Sequence, residues 1–581
     1  MEKVFAVVYA ISVFWMVLGL YGIKKTEIKL SGVNFISVAV FSFFCYQTAL
    51  AGFLQMIGIE VGNKSLGILN ILVGCILWYF IVMKECRQKY YFNKWDAVAN
   101  AIMILAILVL ATRQFGKGLN IFNYQCTWDS SVHLSWAREA AKQHSLPGMY
   151  FNALNMGVWL ECVYAFVPCA TGCELYIITD LVTLVLDAGL FWCLIRRHIN
   201  DKGMYIVGIV CVLAYVFGYP LNNMVFGTSY LGSGNLCVIF VVLLYDIFNI
   251  GKANKVIWGL TLMLTVFSLI KSYVLFLPII LISIYIYIFV FLYEKGKITR
   301  NGLMAVAVLS AAVAAGGYAV LKDYFWNAIS GLALEGQIYR NLATNFVLFI
   351  PFILFVLVKK YRTFSGIMLI VTLGYIAVFM ACVLNGKVSG YYYFKNYYVL
   401  WFLSFYNAFI IVSENINRQN CVKFYIAGCS LLAVFSVSKV ENKLGGYTDP
   451  WYGQVFGESR VSSLFDIYNF NFDNMAREAV DTGTRELFGE VARMNSYVDE
   501  TIFYVGIHDY AIHKVFYALA NQPEINTDDV ASPEDYIRKI KETSKYVCVL
   551  EPERDTWDIT DYLSTLEIVY KNDKGYIAKV Q

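Results

Sequence analysis

Long apolar runs follow one another through most of this chain, and they constrain its fold more than any other feature. Each run is about 17 to 25 residues long, which suffices for one helix to cross a bilayer. The 581-residue chain is 59% hydrophobic and 15% charged, unlike soluble globular proteins. The sequence therefore predicts a polytopic α-helical membrane protein with about fourteen transmembrane helices. The expected spans are Val4–Ile23, Asn34–Ile59, Leu66–Met83, Asp96–Ala111, Glu174–Ile195, Met204–Tyr219, Gly234–Ile250, Val256–Ile270, Tyr273–Leu292, Gly302–Leu321, Leu342–Val358, Gly366–Leu384, Tyr397–Val412 and Cys421–Val437.

Lysine and arginine gather in alternate short loops, which indicates the sidedness of the chain. Such loops lie on the cytoplasmic side of multi-pass proteins. We therefore expect the polar loop 113–153 and the tail beyond Val437 to be extracytoplasmic. The alternation is consistent only if Leu154–Ala170, which contains Glu161, does not cross the membrane. The clusters are Lys24, Lys25 and Lys29; Lys84, Arg87, Lys89 and Lys94; Arg196 and Arg197; Lys252 and Lys255; Lys295, Lys297 and Arg300; and Lys359, Lys360 and Arg362.

The composition changes abruptly to charged, mixed sequence after the last apolar run. Residues 438–581 are expected to form a small extracytoplasmic α/β domain. Neither a glycine-rich phosphate loop, a serine-hydrolase elbow nor a zinc-type spacing occurs in it, so we expect it to cover the membrane site or bind glycan. Its expected elements are a helix in Asn471–Val498, strands at Thr501–Gly506 and Tyr546–Glu551, a helix at Pro533–Glu542, and a hairpin of Leu566–Tyr570 with Tyr576–Val580.

The polar stretch Asn123–Asn152 interrupts the apolar runs and contains Asp129 and His133. Residues 130–143 favour a helix by composition, and a four-residue spacing places both side chains on one helical face. A helix lying on the bilayer would then present an acid from its start. The alternative is an ordinary loop helix in which Asp129 serves as an N-terminal cap.

The sequence TWDSSVHLSWAREAAKQHSLPG, followed by an amphipathic juxtamembrane helix and a span ending in Arg-Arg, resembles the membrane glycosyltransferases of the GT-C superfamily. The resemblance covers Asp96 to about Val437. It implies a GT-C-like core in residues 96–437, preceded by additional N-terminal helices in residues 1–95. It also implies that Asp129 is the catalytic base and that the sugar arrives on a polyprenyl phosphate. The second carboxylate common near this acid in the superfamily is replaced by Ser130 and Ser131, so a divalent metal is possible but not required.

A transferase using a lipid phosphate also needs cations for the departing phosphate and contacts for the sugar. The candidates in the expected outer segments are Lys271, Lys395, Arg340, Glu161 and Tyr393, with His133 beside the base. Glu161 is a candidate because an ionisable residue at membrane depth is energetically costly. The lysines could instead snorkel to the interface, and the aromatic residues around Tyr393 could form an interfacial belt.

The leading hypothesis is an inverting glycosyltransferase of the cell envelope, whose acceptor is an extracytoplasmic glycan, lipid or polymer. The first alternative is a flippase or exporter of lipid-linked saccharide. Transporters commonly contain two matching halves, and no internal repeat is evident here. The second alternative is a polysaccharide polymerase or ligase, but the late outer loops contain no histidine. Basic residues are scattered between apolar runs, which argues against nucleic-acid binding.

Overall fold

The computed structural model describes residues 1–27, 29–115, 128–146, 156–166, 173–199, 202–248, 254–294, 296, 302, 304, 306, 308, 310–311, 345–384, 390–415, 467–468, 471, 481–498, 501–507, 510–523, 525–527 and 529–580. The described chain is mostly helical, with one small sheet near its C-terminus. Helices of the first half are α1 (Glu2–Gly22), α2 (Gly32–Met56), α3 (Asn63–Met83), α4 (Lys94–Phe115), α5 (Trp128–Gln143), α6 (Met156–Tyr164), α7 (Cys173–Arg196), α8 (Lys202–Phe217), α9 (Tyr219–Phe226), α10 (Ser229–Phe248), α11 (Lys255–Tyr273) and α12 (Leu277–Glu294).

Two of the later helical segments of the bundle are interrupted. A 3-10 turn precedes Ile350–Phe355, and a π-helical turn at Val356–Lys360 follows it. The helix Gly390–Lys395 is separated from Tyr397–Asn415 by a turn at Asn396. The remaining helix, Phe364–Leu384, is continuous.

Eight described segments are long and apolar enough to cross a membrane. One of them, Lys255–Glu294, contains two of the expected spans separated by the 3-10 turn Val274–Phe276. The expected span Cys421–Val437 lies outside the described residues, so the total of fourteen stays a prediction. The eight are Glu2–Gly22, Gly32–Met56, Asn63–Met83, Ile178–Arg196, Lys202–Val225, Lys255–Glu294, Phe364–Cys382 and Tyr392–Glu414.

The basic loops meet at one end of the bundle, which we call the basic end. Strand β1 (Leu30–Ser31) pairs in parallel with β2 (Tyr90–Tyr91), joining the loop after α1 to the loop after α3. The Asn254 amide at the start of α11 donates to the Lys25 carbonyl at 3.0 Å. These contacts bring together loops that the charge pattern assigns to one side.

The opposite end, which we call the α5 end, carries α5, α6 and the loop between α2 and α3. At nine residues, α6 is about 14 Å long and too short to cross a bilayer. This agrees with the expectation that Leu154–Ala170 does not span. The amide of Val61 donates to the His144 carbonyl at 2.6 Å, and the Gln55 side chain donates to the Leu146 carbonyl at 2.8 Å. The N-terminal helices are therefore attached to the end of α5.

The C-terminal sheet contains four strands in the order β3-β4-β6-β5. Strand β3 pairs in parallel with β4, and β6 pairs antiparallel with both β4 and β5. All five residues of β3 are buried, as expected for a strand covered on both faces. The strands are β3 (Ile502–Gly506), β4 (Tyr546–Leu550), β5 (Glu567–Lys571) and β6 (Gly575–Lys579).

The strands, the terminal hairpin and the helix Pro533–Thr543 confirm the sequence prediction for this region. Ser532 caps the latter helix by accepting from the Asp535 amide at 3.2 Å. The expected helix in Asn471–Val498 is present as Thr482–Val498, and most of its expected first part lies outside the described residues.

The C-terminal domain packs against the α5 end. Its helix Tyr510–Leu519 contacts α5, where the Arg138 guanidinium donates to the Tyr517 carbonyl. The hydroxyl of Tyr164 in α6 donates to Asn521 at 3.3 Å. The domain and the polar loop helices therefore lie at the same end of the bundle.

Candidate functional site

Helix α5 positions the first two predicted site residues. Its buried side is formed by Leu134, Ala137 and Ala141, whose three- and four-residue spacing gives an amphipathic helix. It begins at Trp128, so Asp129 lies in its first turn, where the helix dipole favours a carboxylate. The side chain of Asp129 lies outside the described part of the chain. Its role as a base and its role as a helix-end acid therefore both stay predictions.

His133 lies one turn further along α5 and contacts the start of α10. Its Nδ1 is 2.8 Å from the Gly227 carbonyl oxygen, which can only accept, so Nδ1 carries the proton. In the neutral ring, Nε2 is then a hydrogen-bond acceptor. Burial lowers the pKa of His133 to about 4, and the positive charge of Lys395 also lowers it, against the opposing effect of the Gly227 carbonyl. His133 is therefore neutral at pH 7.

Lys395 lies beside His133 although it belongs to a distant helix. It is buried, and its Nζ donates to the Tyr230 hydroxyl at 2.7 Å. The same ammonium is 4.8 Å from the ring centroid of Tyr230 and 5.1 Å from that of Tyr273, distances typical of cation–π contacts. The His133 ring packs edge-on against Tyr230, with centroids 5.0 Å apart. His133, Gly227, Tyr230, Tyr273 and Lys395 form what we call the Tyr230 cluster.

Lys271 is not brought into the Tyr230 cluster by any described contact. It lies two residues before Tyr273, which places the two side chains on different sides of α11. Its Cε is 3.5 Å from the place that a Cβ on Gly52 of α2 would occupy. The sequence expectation grouped Lys271 with Lys395, and that grouping stays a prediction, while the described contact of Lys271 is with α2.

Tyr393 is buried among aromatic side chains and belongs to the packing of the helix ends. Its ring centroid lies 4.9 Å from that of Phe394 and 5.3 Å from that of Tyr397. Its hydroxyl lies 3.7 Å from the Met380 sulfur. Since Tyr393, Tyr397 and Tyr398 are all at least 96% buried, the interfacial-belt alternative is wrong for these three residues.

Glu161 lies at the far end of α5 from His133. The Asn63 amide, in the first turn of α3, donates to its Oε2 at 3.0 Å, and His144 Nδ1 lies 3.7 Å from the same oxygen. Burial raises the pKa of Glu161, while the Asn63 hydrogen bond and His144 lower it. Because His133 and His144 are separated by about three turns of helix, roughly 16 Å, Glu161 does not join the Tyr230 cluster. Its described contacts are those of a cap on α3.

The remaining candidates are Arg340 and the possible divalent metal. Arg340 lies outside the described residues. Among the residues that the structure does describe, no group of three or more His, Cys, Asp or Glu side chains could hold a metal ion. The possible divalent metal therefore stays untested where Asp129 is concerned.

Sequence reasoning missed two buried aspartates, Asp180 and Asp187 of α7. Asp187 accepts a hydrogen bond from the Tyr215 hydroxyl at 3.0 Å and one from the Asn235 amide at 3.4 Å. Asp180 is also buried, and none of the described residues gives its Oδ2 a hydrogen bond. Burying a carboxyl without a partner costs several kcal/mol, roughly. The signal in the sequence was an acid within an apolar run, ITDLVTLVLD.

The neighbours of Asp180 place it at the depth of the Tyr230 cluster. One turn further along α7, Thr183 Cγ2 lies 3.2 Å from the place of a Cβ on Gly232, two residues after Tyr230. Asn223 also approaches Gly232, and its Oδ1 accepts from the Thr228 hydroxyl at 3.0 Å. Polar groups of α7, α9 and the start of α10 are therefore concentrated next to the Gly227 turn.

Neither the known protein families nor the curated proteins contain a match to the sequence. Among solved structures, the chain is similar to the archaeal oligosaccharyltransferase AglB from Archaeoglobus fulgidus in complex with an inhibitory peptide and a dolichol-phosphate. The alignment has 14% identity and a TM-score of 0.30, and it covers 88% of this chain and 61% of that one. The chain thus spans less than two thirds of the length of that protein.

Proposed function

We propose that the protein is an inverting membrane glycosyltransferase that moves a sugar from a polyprenyl-phosphate donor to an extracytoplasmic glycan, lipid or polymer acceptor. The observation that carries the proposal is the convergence of Lys395 and His133 on Tyr230. A buried cation and a neutral histidine thereby meet beside the helix that begins at Trp128 and contains Asp129. The positive-inside rule assigns the basic end to the cytoplasm and this site to the outside.

In the proposed reaction, an acceptor hydroxyl attacks the anomeric carbon on the face opposite the phosphate. Asp129 takes the hydroxyl proton as the new carbon–oxygen bond forms. The bond between the anomeric carbon and the phosphate oxygen breaks, and its electron pair leaves with the lipid phosphate. Lys395 stabilises the negative charge that grows on that oxygen. His133 Nε2 accepts a hydrogen bond from the acceptor or from the sugar.

We assign Asp180 to the sugar. A buried carboxyl without a described partner would hydrogen-bond to sugar hydroxyls, which enter with their own donors and acceptors. Binding would then satisfy a group whose burial otherwise destabilises the protein. Lys271, Glu161 and Tyr393 receive no part in this reaction, because their described contacts lie elsewhere. Arg340 stays a candidate for the phosphate on sequence grounds alone.

The experiment is transfer by the purified protein in lipid nanodiscs, with polyprenyl-phosphate sugars carrying a radiolabelled glucose, mannose or galactose. A crude extract of envelope lipids and glycans serves as the acceptor pool. Asp129→Asn keeps the side-chain shape and removes the basic oxygen, so transfer should fall on the order of a hundredfold or more. Undiminished transfer by this variant would contradict the assignment of the base.

The same preparation separates the proposal from the exporter alternative. In proteoliposomes, an exporter would carry the labelled lipid-linked sugar across the bilayer and leave the sugar–phosphate bond intact. The transferase would release free polyprenyl phosphate and place the label on the acceptor. Translocation without release of polyprenyl phosphate would favour the exporter.

A further inference from the structure

A cavity of about 660 Å³ lies at the α5 end, away from the Tyr230 cluster. Its walls are the start of α1, the loop between α2 and α3, the end of α5, and α6. This volume is in the range of small-molecule sites. Glu161 and His144, whose described contacts separate them from the Tyr230 cluster, both line it. The function proposed above makes no use of this cavity.

Charged groups of both signs line the cavity, and the two at its edge, Glu60 and Lys64, do not pair with each other. Glu60 and Lys64 are exposed at its edge, and within the described chain neither has an ion pair. The Lys64 ammonium lies 5.7 Å from the Phe5 ring centroid, its one described interaction. Glu161 supplies a second carboxylate from the inside of the cavity. A ligand that carries a cation and an anion close together would match this arrangement.

The loop at Glu60 is held close to Glu161 because residue 62 is glycine. A Cβ at Gly62 would lie 3.0 Å from His144 Nδ1 and 3.1 Å from Glu161 Oε2. A side chain at this position would have to displace one of those groups. The close approach keeps the loop that contains Glu60 against Glu161, and both residues line the cavity.

An apolar stripe leads from the cavity down the outside of α3. It starts at Ile68, which lines the cavity, and recurs every four residues on one helical face. Only 28% of the apolar window of α3 is buried, so this face is available to lipid. The stripe is Ile68, Leu72, Ile76 and Phe80, with exposed fractions of 46%, 55%, 56% and 43%.

We propose that the cavity binds the head group of a phospholipid that carries a primary amine, of the phosphatidylethanolamine class. Lys64 contacts the phosphate, Glu60 and Glu161 contact the ammonium, and an acyl chain lies along the α3 stripe. A quaternary ammonium has no N–H to donate, and a glycerol head group has no positive charge. The site therefore favours the amine over phosphatidylcholine and phosphatidylglycerol. The apolar stripe distinguishes a lipid from a soluble zwitterion.

The test is native mass spectrometry of the delipidated full-length protein, titrated separately with dioleoyl phosphatidylethanolamine, phosphatidylcholine and phosphatidylglycerol. We expect the amine lipid to bind about tenfold more tightly than the other two, as one additional ion pair with a partly buried carboxylate would give. Glu60→Gln should reduce that preference severalfold, and Lys64→Gln should weaken the amine and choline lipids alike. Lys84→Gln, an exposed lysine at the basic end, is the matched control and should change nothing.

Two results would overturn the proposal. One is equal binding of the three lipids by the parent protein. The other is an unchanged preference in Glu60→Gln together with unchanged binding of all three lipids by Lys64→Gln. The same titration is repeated with soluble O-phosphoethanolamine, which has the head group and no acyl chain. If it bound as tightly as the lipid, the α3 stripe would make no contribution to binding. Glu161→Gln is left out, because Glu161 also caps α3 and its loss would disturb folding.

Discussion

Asp180 and Asp187 are both buried and lie on one face of α7, because they are seven residues apart. Among the described residues, hydrogen-bond donors reach the carboxylate of Asp187, while Oδ2 of Asp180 has none. Replacing Asp180 with leucine should raise the melting temperature, because a desolvated polar group is removed. The same change should reduce sugar transfer by tenfold or more, about the effect of losing one buried hydrogen bond to the substrate.

Asp187→Leu is the matched control for this prediction. It removes the acceptor of Tyr215 and Asn235 and leaves their polar groups buried, so the melting temperature should fall. Both variants are compared by scanning fluorimetry in the same detergent. A lower melting temperature for Asp180→Leu would show that Asp180 stabilises the fold.

Lys395 and Lys271 should differ in their effects on turnover. Lys395→Gln removes the ammonium next to the proposed phosphate position, so kcat should fall at least tenfold while KM for the lipid donor changes less. Lys271→Gln should leave kcat close to that of the parent protein, because Lys271 faces α2. Donor kinetics of the two variants decide this, and equal losses of kcat would return Lys271 to the site.

His133 should make stability depend on pH. Its pKa is about 4 in the folded protein, below the ordinary value of roughly 6.5. As pH falls through roughly 6.5 toward 4, the unfolded chain takes up a proton that the folded chain does not. The free energy of unfolding therefore decreases over this pH range. His133→Gln retains a donor for the Gly227 carbonyl and removes the titration. Its melting temperature should therefore fall less than that of the parent protein between about pH 7 and about pH 5.

Arg138 should hold the C-terminal domain against α5. Arg138→Leu removes the guanidinium donor from the Tyr517 carbonyl, which still accepts from the Gln522 amide at 3.2 Å. The loss is therefore that of one hydrogen bond from a charged donor, about 1.5–3 kcal/mol. Hydrogen exchange should then become faster in α5 and in Tyr510–Leu519. Arg538→Leu is the control, because Arg538 is 67% exposed and, among the described residues, pairs with Asp535 three positions away. Equal hydrogen-exchange rates in both variants would indicate that Arg138 does not hold the C-terminal domain against α5.

The two ends of the bundle should react differently with an impermeant thiol reagent. A cysteine at Glu60, exposed at the α5 end, should label in intact cells above the background of the parent protein. A cysteine at Lys84, exposed at the basic end, should label only after the membrane is opened. The opposite pattern would invert the proposed sidedness.

Local sequence signals predicted the secondary-structure elements of the C-terminal domain. They did not predict which distant residues lie together, because that depends on how the helices pack. The terminal hairpin and the helix from Pro533 follow from turn and capping residues, which act over a few positions. The placement of Glu161 and His133 in one site stays a prediction, and the described contacts place Glu161 beside His144, about three turns along α5 from His133. Lys271 and Lys395 look alike in sequence, and only the structure shows that Lys271 packs against α2 while Lys395 contacts Tyr230.

Attachment of the C-terminal domain to α5 has a consequence for biosynthesis. Arg138 and Tyr517 are 379 residues apart in the chain. At about 5–20 residues per second, the ribosome needs on the order of 20–75 seconds to pass from one to the other. During that interval α5 has left the ribosome while its partner helix does not yet exist. Helix α5 can thus reach its final surroundings only after Tyr510–Leu519 has been synthesised, so a chain terminated before Tyr510 would insert in the membrane without this attachment of α5.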